Sequence, residues 1–181
     1  MRLALRLHSD SLSLAATHIG VDVARPHAGN LVLCYFVTGK IGGLRLPPIA
    51  PPVRAEALWQ RTCFEAFVRC PASDIYYEFN FAPSTQWAAH QFDGYRSGMR
   101  EASGVSAPPI AVKASSALFR LQASLALDQL SGLPRDARWR LGLSALIEET
   151  GGRISYWALT HPPGKPDFHH PDCFAHELSP T

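Results

Sequence analysis

The segment 58–95, LWQRTCFEAFVRCPASDIYYEFNFAPSTQWAAHQFDGY, alternates with a period of two. Ile75, Tyr77, Phe79 and Phe81 share one side of an extended chain, and Asp74, Tyr76, Glu78 and Asn80 share the other. Before it, Phe64, Ala66 and Val68 form an apolar face, with Cys63, Glu65, Phe67 and Arg69 behind it. A helix cannot keep such a pattern on two faces, so this stretch demands antiparallel strands. The short link Cys70-Pro71-Ala72-Ser73 predicts a hairpin turn.

If Cys70 pairs with Ser73, Phe67 faces Tyr76, Glu65 faces Glu78 and Cys63 faces Asn80. Like charges directly opposed on a sheet destabilise it. Two facing glutamates then call for a nearby cation, a raised pKa, a metal, or a polyhydroxyl ligand that donates to both. Arg61 is the nearest candidate cation on that face. The pairing depends on register, because a slip by one residue turns a side chain to the opposite face. The alternative is a solvated face on which both glutamates pair with Arg or Lys.

Strand character recurs along the chain, over about 3–8, 16–24, 30–38, 63–70, 74–81, 86–93, 110–114, 117–127, 138–148 and 153–161, with a short piece at 173–178. Turn signals such as His27-Ala28-Gly29-Asn30 and Thr150-Gly151-Gly152 separate them. Only 128–133 suggests a turn of helix. Ile41–Val53, with its PPIAPPV run, and Tyr95–Pro109 read as rim loops. With 181 residues, this pattern predicts one all-β domain over the whole chain, an antiparallel two-sheet β-sandwich.

The second hairpin, 138–161, carries Trp139, Leu141, Leu143, Ala145 and Ile147 on one face. Pairing Ile147 with Ile154 matches that face with Tyr156, Ala158 and Thr160. It sets Trp157 opposite Ser144, beside Gly142, and Arg140 opposite His161. A large ring over Gly and Ser suits an aromatic platform, and an ordinary core position is the alternative.

The run from His161 to His176 contains Lys165, Asp167, His169, His170 and Cys173. Its spacing fits no standard zinc finger and it has no paired CxxC, so it predicts a proline-ordered loop bordering the same face. No P-loop, GxGxxG, GxSxG or HExxH pattern occurs. Glu65 and Glu78 have the chemistry of an acid/base pair for a hydrolase or lyase. Directly opposed strand positions, with Cβ atoms ~4.5–5.5 Å apart, are compatible with the ~5–5.5 Å of a retaining glycosidase.

The net charge of +2, without a basic run, gives no support for a nucleic-acid or anionic-membrane partner. No apolar segment reaches the ~18–20 residues of a membrane-spanning helix. The N-terminus MRLALRLHSD reads as a first strand and not as a signal peptide, which predicts a cytoplasmic location. Cysteines 34, 63, 70 and 173 are expected to be reduced there.

The segments LWQRTCFEAFV, YYEFNFAPSTQWAAHQFDGYRSGM and YWALTHPPGKPDFHHPDCF resemble the bacterial DOMON-like proteins, which are similar in turn to the family-9 carbohydrate-binding modules. The resemblance runs through nearly the whole chain. It implies a sandwich with a ligand site on a concave sheet face, where tryptophans clamp a sugar and charged or amide groups bind its hydroxyls. Trp59 and Glu65 match the relatives' Trp-and-Glu strand. Asn80, Trp157 and Arg61 have suitable chemistry without an aligned position. Other DOMON domains bind haem through Met and His or Lys. Here Met99 lies in an irregular segment, and no pairing with His170 or Lys165 follows. The binding modules are usually secreted appendages of polysaccharide-degrading enzymes, a setting that this chain does not show, so the ligand class stays open.

The expected function is non-catalytic binding of a small polar, carbohydrate-like ligand, with no metal and no cofactor. Trp59 and Trp157 would stack on its ring, Arg61, Glu65, Glu78 and Asn80 would bind its hydroxyls, and His161, Lys165 and His169 would line the rim. The rivals are the acid/base enzyme, a protein-interaction module using a Trp-rich face, and a haem- or zinc-binding domain.

Overall fold

The computed structural model describes residues 1–180. Twelve strands form one curled antiparallel sheet. They are β1 (Arg2–Leu7), β2 (Ala16–Ala24), β3 (Asn30–Gly39), β4 (Cys63–Arg69), β5 (Tyr76–Phe81), β6 (Trp87–Phe92), β7 (Arg100–Glu101), β8 (Ile110–Ala114), β9 (Leu118–Ala126), β10 (Trp139–Glu148), β11 (Ile154–Ala158) and β12 (His176–Leu178). The hydrogen-bonded order is β7-β6-β5-β4-β10-β11-β1-β2-β3-β9-β8, with β12 pairing β10. Among the described residues there is no α-helix, and 128–133 forms consecutive turns instead of the expected helical turn.

β1 makes the corner. Arg2–Leu5 pair with β2, and Arg6 and Leu7 pair with β11. The path curls there, so the β2-β3-β9 limb faces the β4-β10 limb across the core. Phe64 of β4 stacks on Phe119 of β9 with centroids 5.6 Å apart, and the Tyr35 hydroxyl of β3 donates to the Glu65 carbonyl at 2.7 Å. Alternate residues of β4, β5 and β10 fill this core: Phe64, Ala66 and Val68, Tyr77 and Phe79, Leu141, Leu143 and Ala145. Each large side chain buried there stabilises the fold by ~1.5–3 kcal/mol.

The first hairpin has a longer turn than its sequence suggests. The Ser73 amide donates to the Cys70 carbonyl, and the Ser73 hydroxyl accepts from the Ile75 amide. β5 therefore starts at Tyr76, and the register moves by two: Glu65 faces Asn80, and Phe67 faces Glu78. An even shift preserves faces, so both glutamates remain on the non-core side as diagonal neighbours instead of a directly opposed pair.

The second hairpin differs by an odd step. The Glu149 amide donates to the Arg153 carbonyl, which closes the turn around Thr150-Gly151-Gly152, with Gly152 at φ 84°. Ile147 then faces Ser155, and Ala145 faces Trp157. The expected faces of β11 are exchanged. Trp157 packs in the core at 5% exposure, its indole N–H donating to Ser155 Oγ at 3.0 Å. Tyr156 takes the opposite face. Trp157 is therefore no platform.

The room beside Gly142 is also filled. A Cβ built there would lie 3.0 Å from the Cys173 carbonyl oxygen and 3.3 Å from Phe67 Cβ. The glycine lets the C-terminal segment lie flat on the non-core face.

Candidate functional site

A cavity of about 420 Å³ opens on the non-core face of β4, β5, β6, β10 and β11. Glu65, Glu78, His90, Phe92, Leu146 and Tyr156 rise from the strands to line it. Trp59 enters from a 3-10 turn, Leu58–Gln60, that follows Ala57 in a left-handed conformation (φ 55°). Arg96, Met99, Pro166, Phe168 and His169 come from two loops.

Those loops are fastened by Asp167. Its carboxylate accepts from the Tyr95 hydroxyl, from an Arg96 guanidinium nitrogen at 2.7 Å and from the His169 amide at 3.1 Å. Burial works against its charge, but these bonds outweigh it and hold the carboxyl below its ordinary pKa. The clamp places the His169 ring edge-on to Phe67 and Phe92, at 5.1 Å from each. His169 Nδ1 is 2.8 Å from the Tyr76 hydroxyl, and Nε2 is 3.7 Å from Glu78 Oε2. Burial, helped by the Arg96 charge, pushes this imidazole down to about 4. At neutral pH it is uncharged, and its contact with Glu78 is not an ion pair.

The glutamates are buried, at 4% exposure for Glu65 and 6% for Glu78. Ser144 Oγ donates to Glu65 Oε2 at 2.9 Å, and Asn80 Nδ2 donates to Glu78 Oε1 at 2.6 Å. Burial, reinforced by the charge of Glu78, pushes Glu65 up to about 8 against the Ser144 bond. Burial also raises Glu78, opposed by the Asn80 bond and by the neighbouring His90 and Arg96. The raised pKa is thus one of the compensations that the sequence called for. His90 faces Glu78 across the β5–β6 ladder. It is 6% exposed, and among the described residues its Nδ1 has no hydrogen-bond partner.

Of the nine residues singled out from sequence, the structure brings Trp59, Glu65, Glu78 and His169 together on the cavity wall. Asn80 is fully buried behind it, orienting Glu78 and accepting from the Cys63 thiol at 3.5 Å. Arg61, just ahead of β4, pairs instead with Glu148 of β10 at 3.0 Å, alongside Arg45. It does not neutralise the two glutamates. His161 Nε2 lies 2.8 Å from the Arg6 carbonyl oxygen, and its ring stands edge-on to His8. Lys165 is exposed on the loop before Pro166. Trp157 is in the core.

The sequence reading missed His90, Arg96, Tyr156 and Phe168. His90 shares the parity of Ala88 and Phe92 on β6, so extending the hairpin pattern by one strand would have found it. Tyr156 was hidden by the odd register slip. Arg96 and Phe168 sit on loops, where no periodicity reports direction.

Among the described residues, no three His, Cys, Asp or Glu side chains converge as metal ligands. In the C-terminal run, the Cys173 thiol donates to the carbonyls of Thr160 and Asp167, and His170 Nδ1 accepts from the Asp172 amide. Those groups order the loop.

No family model matches the chain, and no curated protein matches it. Solved structures do share its fold. A candidate carbohydrate-binding protein from Bacteroides uniformis ATCC 8492 superposes with a TM-score of 0.68 at 14% identity, covering 95% of this chain and 83% of that one. A family-9 carbohydrate-binding module from Caldicellulosiruptor kristjanssonii in complex with cellotriose gives 0.56 at 12% identity, covering 91% and 74%. A family-9 module from the same organism in complex with glucose gives 0.55 at 10% identity, covering 98% and 84%. The chain therefore has the fold of the family-9 carbohydrate-binding modules.

Proposed function

We propose that this protein binds a small carbohydrate-like ligand, without catalysis, in the cavity over β4, β5 and β6, on a two-sheet sandwich of the family-9 carbohydrate-binding type. The observation that carries this reading is the wall itself. Trp59, Phe92, Tyr156 and Phe168 supply apolar surface, while Glu65, Glu78 and His90 supply buried polar atoms. A sugar presents the matching pair of surfaces, apolar C–H faces and a rim of hydroxyls that donate and accept. Structures of the same fold that hold glucose and cellotriose support the ligand class. Trp59 is 38% exposed, which leaves its ring available for stacking.

The bonds from Ser144 and Asn80 fix the glutamates before a ligand arrives, which lowers the ordering cost of binding. The even register shift makes Glu65 and Glu78 diagonal neighbours, at a Cα spacing of ~7–8 Å, so the directly opposed geometry compatible with a retaining glycosidase is gone. The DOMON-like kinship and a cytoplasmic location belong to this proposal as well.

The test is thermal melting against sugars, sugar phosphates and nucleotide sugars, with Glu65→Gln alongside. A ligand at ~100 times its Kd stabilises by ~2.7 kcal/mol. The reading expects at least one sugar to raise the melting temperature of the wild type and to lose that effect in Glu65→Gln. No shift across the panel overturns it.

A further inference from the structure

Four glutamates are buried in this chain: Glu65, Glu78, Glu148 and Glu149. Glu148 is paired with Arg45 and Arg61, and Glu149 with Arg153. Among the described residues, Glu65 and Glu78 have no Arg or Lys within ion-pair distance. The guanidinium on their cavity wall, Arg96, is committed to Asp167 at 2.7 Å. Two carboxyls thus face a cavity with no cation of their own, and desolvation raises the pKa of each instead. An arriving cation would offset the desolvation of the pair and favour its charged form.

The rest of the wall narrows the kind of cation. Trp59, Phe92, Tyr156 and Phe168 are aromatic, and aromatic faces attract organic ammonium groups. A bare metal ion would need more hard ligands than converge here. Independently, His90, cross-strand from Glu78 and 6% exposed, lines the same cavity, and among the described residues its ring makes no hydrogen bond. A hydroxyl of the ligand can bond to the part of the ring that faces the cavity, whichever way the imidazole proton lies.

We propose that the cavity takes an amino sugar, with its protonated amine held between Glu65 and Glu78 and a ring hydroxyl bonded to His90. This rests on the sugar-binding reading above and specifies the charge of the ligand. Seating an ammonium favours the carboxylate over the carboxylic acid, so binding near neutral pH expels a proton from the glutamate pair to solvent.

Isothermal titration calorimetry of the full chain at about pH 7, with EDTA present, tests this with glucosamine, glucose, N-acetylglucosamine and cyclohexylamine. Repeating it in two buffers of different ionisation enthalpy counts the protons. A charged hydrogen bond is worth ~1.5–3 kcal/mol, so glucosamine should bind about tenfold or more tighter than glucose and N-acetylglucosamine. Its heat should depend on the buffer in the sense of proton release, and cyclohexylamine should bind more weakly than glucosamine. Glu65→Gln and Glu78→Gln, each checked for an intact melting transition, should narrow the glucosamine-to-glucose ratio. Glucose binding as tightly as glucosamine, or binding without proton release, overturns the amine assignment and leaves the sugar site standing. Cyclohexylamine binding as tightly as glucosamine while glucose fails overturns both, and so does no binding by any of the four.

Discussion

Asn80 donates its side-chain amide to Glu78 Oε1 at 2.6 Å while standing directly across the β4–β5 ladder from Glu65. One fully buried amide therefore separates two buried carboxyls and orients one of them. Replacing it by Ala removes the donor and leaves Glu78 less satisfied. The expected loss is ~1–3 kcal/mol, read as a lower urea midpoint. Asn80→Asp should cost more, because it adds a third acid to the cluster, and the excess should grow from about pH 5 to about pH 8. Equal losses at both pH values would mean that the three side chains do not interact.

The pH profile of stability follows from two opposed shifts. Glu65 has a folded pKa of about 8 against 4.5 for the free side chain, so the folded state holds a proton that the unfolded state lacks between those values. That contribution is fully present below 4.5 and is lost as pH rises through about 8, at up to ~1.4 kcal/mol per pH unit. His169 has a folded value of about 4 against 6.5, so its contribution is present above 6.5 and lost as pH falls through about 4. The two slopes oppose one another between 4.5 and 6.5, and the Glu65 decline stands alone from 6.5 to 8. The His169 contribution is common to wild type and Glu65→Gln and cancels between them, so the two should diverge from about pH 4.5 up to about pH 8 in denaturant melts, with the variant gaining relative stability. Parallel curves across that window would show that Glu65 titrates normally.

Trp157 and Tyr156 are neighbours on one strand with opposite duties. Trp157→Ala empties part of the core and should cost ~3–5 kcal/mol. Tyr156→Ala trims a half-buried ring on the cavity wall. It should change stability far less and remove most of the ligand-induced melting shift. Stability and ligand response measured together separate the two roles. A large stability loss at Tyr156 with a small one at Trp157 would reverse the register of this hairpin.

The strands were legible in sequence because their faces obey a period of two, and Phe64, Ala66, Val68, Tyr77 and Phe79 all lie in the core as that period demands. Register was not, because it is set inside turns. Ser73 bonds to the Ile75 amide and delays β5 by two residues, which spared the faces of Glu65 and Glu78. The Glu149–Arg153 closure moves β11 by an odd step, which exchanged Trp157 and Tyr156. Arg96 and Phe168 reach the cavity through the Asp167 clamp, a contact between segments some 71 residues apart in sequence that no local pattern encodes.

Gly142 links the fold to the site. Its missing side chain lets the Cys173 backbone approach β10, and the same segment carries Phe168 and His169 over the cavity. In Gly142→Ala the new methyl meets the Cys173 carbonyl oxygen at 3.0 Å and Phe67 Cβ at 3.3 Å, with backbone on one side and a packed ring on the other. Neither neighbour yields easily, so overpacking should cost ~1–3 kcal/mol. The strain falls on the segment that holds His169 against Tyr76 and Glu78. The variant should therefore lose ligand response at temperatures where it is still fully folded, and amides of 168–174 should exchange hydrogen faster than those of β4 and β10. An unchanged ligand response in a folded Gly142→Ala protein would show that the segment tolerates displacement without disturbing the site.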